Sequence, residues 1–309
     1  VAARATFDLA PSGRLSLADE QPPPVLEPAY RGEAGKSSLR LDSDLLAWKL
    51  GTDVVVDAHA YAPGGKPARA VEVSLRADTL EKTLVVFGPR SYRRGPTGLT
   101  TTAPEPFSKH PIIYEWAFGG SDMTPADPAR RVMDARNPVG KGVAADERAL
   151  FDQDAHRVEY PGKDPAHAGP AGFGPLASFW SPRLERAGTY DAEWERSRRP
   201  LLPVDYDDRF GLSSPDDQRP PRPLRGGERI QVTNMAAEGV VTFDLPKIYL
   251  AFSTHVAGRV EEHRATLTTV FLALEERQVS LVWQSALQVS ARDVEHLKHT
   301  SIDEKRYIG

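Results

Sequence analysis

The sequence predicts a mainly β protein: an antiparallel β-sandwich or open barrel built from N-terminal and C-terminal strands, interrupted by a long irregular insertion with short helices. Three observations predict it. Apolar and polar residues alternate with a period of two near both ends of the chain but not in its middle. The 309 residues include 27 prolines and 24 glycines, which favours many turns and short strands over long helices. The stretch from Gly169 to Phe210 sets Phe173, Phe179, Trp180, Tyr190, Trp194, Tyr206 and Phe210 among prolines and glycines. Disordered linkers are poor in rings, so this stretch is expected to be folded and either functional or draped over a support.

Taken in order, Ala5–Leu9 and Leu15–Leu17 alternate around the turn Pro11-Ser12-Gly13 and read as an opening hairpin. Pro22–Pro24 then break pairing, and the run through Ser37 to Asp44, where Asp42 and Asp44 flank a small apolar patch, reads as an exposed crossing. From Gly51, Val54, Val56, Ala58 and Ala60 share one face of an extended segment, opposite Asp53, Asp57, His59 and Tyr61. Ala62–Pro67 turns the chain into Val71–Ala77, and Thr83–Phe87 follows, so residues 53–87 read as an antiparallel meander with one wet side.

Residues 95–228 hold most of the prolines. Within them Asp191–Arg199 reads as a short helix, acidic at its start, basic at its end and stopped by Pro200. Ser181-Pro182 reads as a cap followed by a first-turn proline. Strand character returns at Ile230–Val232, Val240–Leu245, Ile248–Phe252, Thr266–Leu274 and Val279–Val289. In the last of these Val279, Leu281, Trp283, Leu287 and Val289 share a face. Ser290 with Asp293 resembles a capping box, so a helix through about Lys298 is expected to close the fold. The chain reads as one interdependent domain over 1–309, with an N-terminal β part (1–94), the insertion (95–228) and a C-terminal β part with the terminal helix (229–309).

The mean hydropathy of −0.44 and the 27% of charged residues are those of a soluble globular protein, without an apolar run long enough for a membrane span. A net charge of −4 offers no broad field for nucleic acid, although Arg196, Arg198 and Arg199 cluster locally. The absence of cysteine excludes disulfides, thiolate nucleophiles and Cys-based zinc sites. The chain opens at Val1 with no charged-then-apolar signal segment, which leaves room for residues upstream.

No familiar reaction centre emerges. His296 and His299, three apart on the expected last helix, and His255 with His263 lack a third ligand at a known spacing. His59, beside Asp57 and Tyr61, reads as a structural hydrogen bonder. Asp205, Asp207 and Asp208 begin like a calcium loop, but Arg209 and Phe210 break the pattern. Glu115, Asp122, Asp191 and Asp205 lie near rings, the raw material of a glycosidase cleft, though capping and turn roles suit them better. Gly119-Gly120-Ser121, Gly64-Gly65-Lys66 and Gly169–Gly174 match neither a nucleophile elbow nor a phosphate or dinucleotide loop. No cofactor, metal or catalytic residue is expected. Tyr and Trp on loops held by a rigid sheet are instead the material of protein-binding hot spots when taken as a set, although core packing is the better reading of any single ring.

Several motifs carry a resemblance: Gly51-Thr52-Asp53-Val54, His59–Pro67, Glu115 with Ala117–Gly120, Asn137–Gly140, Pro170–Pro175, Gly188–Asp191 with Trp194, Pro200–Pro203 and Pro215–Gln218. Together they resemble, in order over most of the chain, a bacterial family of uncharacterised-domain proteins encoded beside type VI secretion spike and effector genes. The resemblance implies a cytoplasmic adaptor or chaperone that loads an effector with a PAAR-like domain onto the VgrG spike, with no catalytic residues to carry over. On that expectation the effector rests on Trp116, Phe118, Phe173, Phe179, Trp180, Tyr190 and Trp194, with arginines orienting it at the rim. A carbohydrate- or cell-wall-active enzyme and a structural component of the spike are the competing readings.

Overall fold

The computed structural model describes residues 1–45, 49–96, 98–290 and 292–305. It is a mainly β protein of several sheets, with two small helices, and its larger sheets draw strands from both ends of the chain. The first five-stranded sheet contains β1 (Ala2–Leu9), β2 (Leu15–Leu17), β3 (Asp53–Asp57), and the later strands Thr266–Ala273 and Gln278–Gln284. The second contains β4 (Ala70–Ala77), β5 (Leu80–Phe87), β6 (Val158–Glu159), β7 (Arg229–Thr233) and β8 (Val240–Asp244). A third sheet has three strands, β9 (Tyr249–Val256), β10 (Arg259–Arg264) and β13 (Leu297–Lys305), with Thr266–Ala273 being β11 and Gln278–Gln284 β12.

The opening hairpin forms with Phe7 opposite Leu17 and Leu9 opposite Leu15. On its other side β1 pairs antiparallel with β12, setting Phe7 against Val279, and β12 pairs with β11 in turn. The expected meander over 53–87 is corrected here. β4 and β5 do form a hairpin, turning at Asp78 with φ of 54°, but β3 leaves them and pairs parallel with β11, Val54 opposite Val270 and Val56 opposite Leu272. The physical reason lies on the face assumed to be wet. Val55 is buried against Phe271 and Ala273, and Asp53 is fully buried, so β3 is covered on both sides, as parallel pairing requires.

The second sheet runs β6-β5-β4-β7-β8, with Leu75 opposite Val232 and Ile230 opposite Phe243. The alternation read in the sequence is the burial pattern: Val71, Val73, Leu75 and Ala77 point inward, as do Leu84 and Val86. Each of the valines and leucines among them contributes about 1.5–3 kcal/mol over leaving it in water. One apolar cluster takes Val54, Val56, Leu272 and Leu281 from the first sheet together with Val73, Leu84, Ile230 and Phe243 from the second.

Two further expectations change. The run through Ser37 to Asp44 is not an exposed crossing: Ser38 and Leu39 are buried, Asp44 pairs with Arg4 at 3.0 Å and Asp42 with Arg183 at 2.7 Å. Those acids lie inside because each meets a guanidinium. The expected closing helix reduces to one helical turn, Val294–His296, after which β13 pairs antiparallel with β9. Asp293 N–H does bond to Ser290 Oγ, but at 3.3 Å, and Leu297 returns to extended backbone because a partner strand takes its backbone groups.

Between β6 and β7 the insertion carries α1 (Pro165–Ala168), α2 (Ala192–Ser197) and single helical turns. The Asp191 carboxylate accepts from Trp194 N at 2.8 Å and caps α2, as its sequence signature requires. Ser181-Pro182 does not open a helix; the helical turn there is Leu184–Arg186, with Arg183 at its start.

Candidate functional site

The insertion is fastened to β3 through buried polar groups. Asp53 accepts from the N–H and hydroxyl of Ser213 at 2.9 and 3.0 Å, from those of Ser214 at 3.0 and 2.7 Å, and from Lys49 Nζ at 2.9 Å. Burial alone would raise its carboxyl, but the Lys49 ammonium and the serine donors outweigh burial and hold it well below the usual carboxylate range. Gln218 Nε2 donates at 2.7 Å both to Val54 O and to Phe173 O, and Val56 N–H donates to Phe173 O at 3.0 Å. The chain is thus tied to the sheet edge at Phe173 by one backbone bond and the Gln218 bridge.

The seven rings singled out in the sequence separate into three groups. Phe173 and Trp180 are sealed: Trp180 is 0% exposed and meets the buried Tyr114 edge-on with centroids 5.5 Å apart. They present no surface to a partner. Gly172 is the reason the chain comes this close, because a Cβ there would sit 2.4 Å from the Tyr114 ring.

Trp116 and Phe118 are half-buried. The Trp116 ring lies under the Arg157 guanidinium at 3.8 Å and Lys141 Nζ at 4.7 Å, with His110 edge-on at 5.4 Å. Burial lowers the His110 imidazole to about 4, so that ring is neutral near pH 7 and its Nε2 accepts from the Arg157 guanidinium at 2.9 Å. Phe118 packs edge-on against His156 at 5.6 Å.

Phe179, Tyr190 and Trp194 belong to a third group, on a lobe that stands in solvent. Phe179 and Tyr190 are exposed, and Tyr190 meets the half-buried Trp194 edge-on at 4.7 Å. Trp194 Nε1 donates to Leu201 O at 2.8 Å, which folds the segment after α2 back over its ring. The same lobe exposes Leu184, Leu201, Leu202 and Val204, the last at 84%. These four aliphatics were missed by a search for rings; Leu201-Leu202 bracketed by prolines and Val204 between Pro203 and Asp205 were the available signal.

Arginines hold this lobe in place. Arg183, itself buried, donates to Leu176 O at 2.7 Å and Phe210 O at 2.9 Å and pairs with Asp42. Arg186 grips Asp216 with both terminal nitrogens, at 3.0 and 2.7 Å. Thr189 donates its N–H and hydroxyl to Asp205 at 3.0 and 2.7 Å, closing a loop that Gly188 turns at φ of 79°.

The acids considered for a sugar cleft have local partners. Glu115 accepts from the N–H and hydroxyl of Ser38, Asp122 from Thr124 and Ala145, Asp191 caps α2, and Asp205 takes Thr189. Asp207 caps the turn Asp208–Gly211 and pairs with Arg209. His59 lies 3.2 Å from Glu275, a residue of the β11–β12 turn rather than a neighbour on its own strand, and Tyr61 donates to the same carboxylate at 2.7 Å. His255 and His263 do not face one way: they lie on β9 and β10, His255 stacked on His299 at 4.2 Å while His263 bonds Thr254 and Ser285. His299 is on β13, not on a helix. Among the described residues no group of three or more His, Asp or Glu is placed to hold a metal ion, and no helix is long and apolar enough to cross a membrane.

Fold and lobe together define a mainly β protein that presents apolar side chains on an irregular insertion clamped by buried ion pairs. The chain belongs to the family described as an uncharacterized protein conserved in bacteria (DUF2169), whose model matches residues 1–284. No curated protein and no solved structure matches it.

Proposed function

We propose that the protein is a non-enzymatic adaptor of type VI secretion that works in the cytoplasm, where it captures an effector through its PAAR-like domain and assists its loading onto the VgrG spike. The observation that carries this reading is the lobe over residues 179–204, where seven apolar side chains sit on a loop fixed by Arg183 and Arg186. Exposed apolar surface on a pre-formed loop is the arrangement expected of a protein-binding site, since little ordering entropy is lost on contact. Phe179, Tyr190 and Trp194, with Leu201, Leu202 and Val204, form the contact, and Arg196, Arg198 and Arg199 orient the partner at its rim. Phe173 and Trp180 act from beneath by stiffening the base. The two five-stranded sheets pack as a β-sandwich that serves as the support, a reading favoured by the single apolar cluster to which both contribute.

The test is co-expression with a type VI effector that carries a PAAR-like domain. Wild-type protein is expected to raise the soluble yield of that effector and to co-purify with it, whereas a Tyr190→Ser/Val204→Ser variant that still folds does neither. An unchanged effector yield with no co-purification would sink the reading.

A further inference from the structure

We infer that β13 is a homodimerisation edge: two copies of this chain join by antiparallel pairing of their Leu297–Lys305 strands about a two-fold axis at Ser301. The inference goes beyond the adaptor reading and concerns a part of the chain that lies past the family match, which ends at residue 284.

The third sheet has the order β10-β9-β13, so β13 is bonded on one side only. Among the described residues, no backbone partner is found on its other side. Nine residues long, with a register shift against β9 at Lys298, and exposed along most of its length, it offers a row of N–H and C=O groups that can template strand addition. Leu297 and Ile302 are exposed on it, and among the described residues Lys298, Asp303 and Glu304 have no ion-pair partner.

The order of charges on β13 selects the occupant. Lys298 sits near its start and the acids Asp303 and Glu304 near its end, with Lys305 as the last residue, which this pairing sets opposite the apolar Leu297. An antiparallel copy centred on Ser301 therefore puts Lys298 opposite Glu304, His299 opposite Asp303 and Thr300 opposite Ile302, and the two-fold axis makes every one of these pairs twice. Directly opposed side chains in such a ladder come within about 5 Å, close enough for the charges to interact. A shift of the centre to Thr300 instead sets Leu297 against Asp303 and Lys298 against Ile302, so the charges fix the register.

The opposite edge of the same sheet shows the contrast. β10 reads Arg259-Val260-Glu261-Glu262-His263-Arg264, with cations at both ends and acids in the middle. A two-fold pairing that uses most of this strand is centred on Glu261 or Glu262 and sets that glutamate against its own copy. Such a pattern repels a second chain, which is how exposed edges are ordinarily kept single. One edge of the sheet is blunted by like charges and the other is self-complementary.

The experiment is sedimentation velocity on the full chain across a concentration series, at low and high salt. A reversible dimer weakened by salt is expected. Lys298→Glu and Glu304→Lys each place like charges opposite one another at two positions and are expected to weaken the dimer about tenfold or more. The double variant Lys298→Glu/Glu304→Lys restores opposite signs and is expected to return the dimer to near its original strength. All these side chains are exposed, and far-UV circular dichroism checks that the fold is kept. A chain that stays monomeric throughout, a dimer indifferent to Lys298→Glu, or a double variant as weak as either single would each overturn the inference.

Discussion

Residues 171–177 and 184–206 are drawn from the same rings, prolines and glycines, yet the first run, with Trp180 just beyond it, is sealed and the second stands in solvent. The difference lies in where each run sends its backbone and polar bonds. Phe173 O receives donors from Val56 and Gln218, and Gly172 lets the chain press on Tyr114, so the first run is bonded to the sheet edge and its rings turn inward. The second run satisfies itself: Asp191 caps its own helix, Thr189 bonds Asp205, and Trp194 bonds Leu201. A loop whose polar groups are satisfied locally can hold its shape without burying its apolar side chains. Ring content therefore does not separate core from contact surface; the destination of the hydrogen bonds does.

The sharpest way to break this contrast is to truncate one ring from the sealed run. Trp180→Ala removes a fully buried indole and is expected to cost about 3–5 kcal/mol in a urea titration. A loss under about 1 kcal/mol would place Trp180 with the solvent-facing rings instead.

A second, smaller effect concerns Lys82, whose buried ammonium lies 5.6 Å from the Phe173 ring and 5.4 Å from that of Tyr160, paired with Asp217 at 2.8 Å. Burial, only partly offset by Asp217, pushes it down to about 8. In the unfolded chain it titrates near 10.4, so between these values the unfolded state binds more protons and stability rises with pH. Above about pH 10 ionising tyrosines of the unfolded chain oppose this, because burial holds Tyr160 and Tyr114 protonated in the fold. Relative to a Lys82→Met variant, the wild type is expected to gain roughly 1–3 kcal/mol from pH 8 to 10. Parallel stability curves for the two proteins would show that the lysine keeps an ordinary affinity for its proton.

The smallest effect is expected in the exposed run. Leu201→Ser and Val204→Ser should each leave stability within about 0.5 kcal/mol, measured by the same titration, since neither side chain is packed. A loss of 2 kcal/mol or more, on the order of a core truncation, would mean that the lobe is packed like the sealed run.

The sequence by itself determined the local elements. A period of two marked β1, β4, β5, β7, β8, β11 and β12, and the acid-to-base order of Asp191–Arg199 marked α2. These signals are legible because they act between neighbours along the chain. Only the tertiary structure decided that β3 leaves its neighbours to pair parallel with β11, that Asp42, Asp44 and Asp53 lie inside against Arg183, Arg4 and the Ser213-Ser214 pair, and that residues 297–305 are a strand. It also decided which rings of the insertion face water. Each of those outcomes depends on a partner tens to hundreds of residues away, and burial of a charge or choice of a strand neighbour is an energy of the pair that neither segment carries alone.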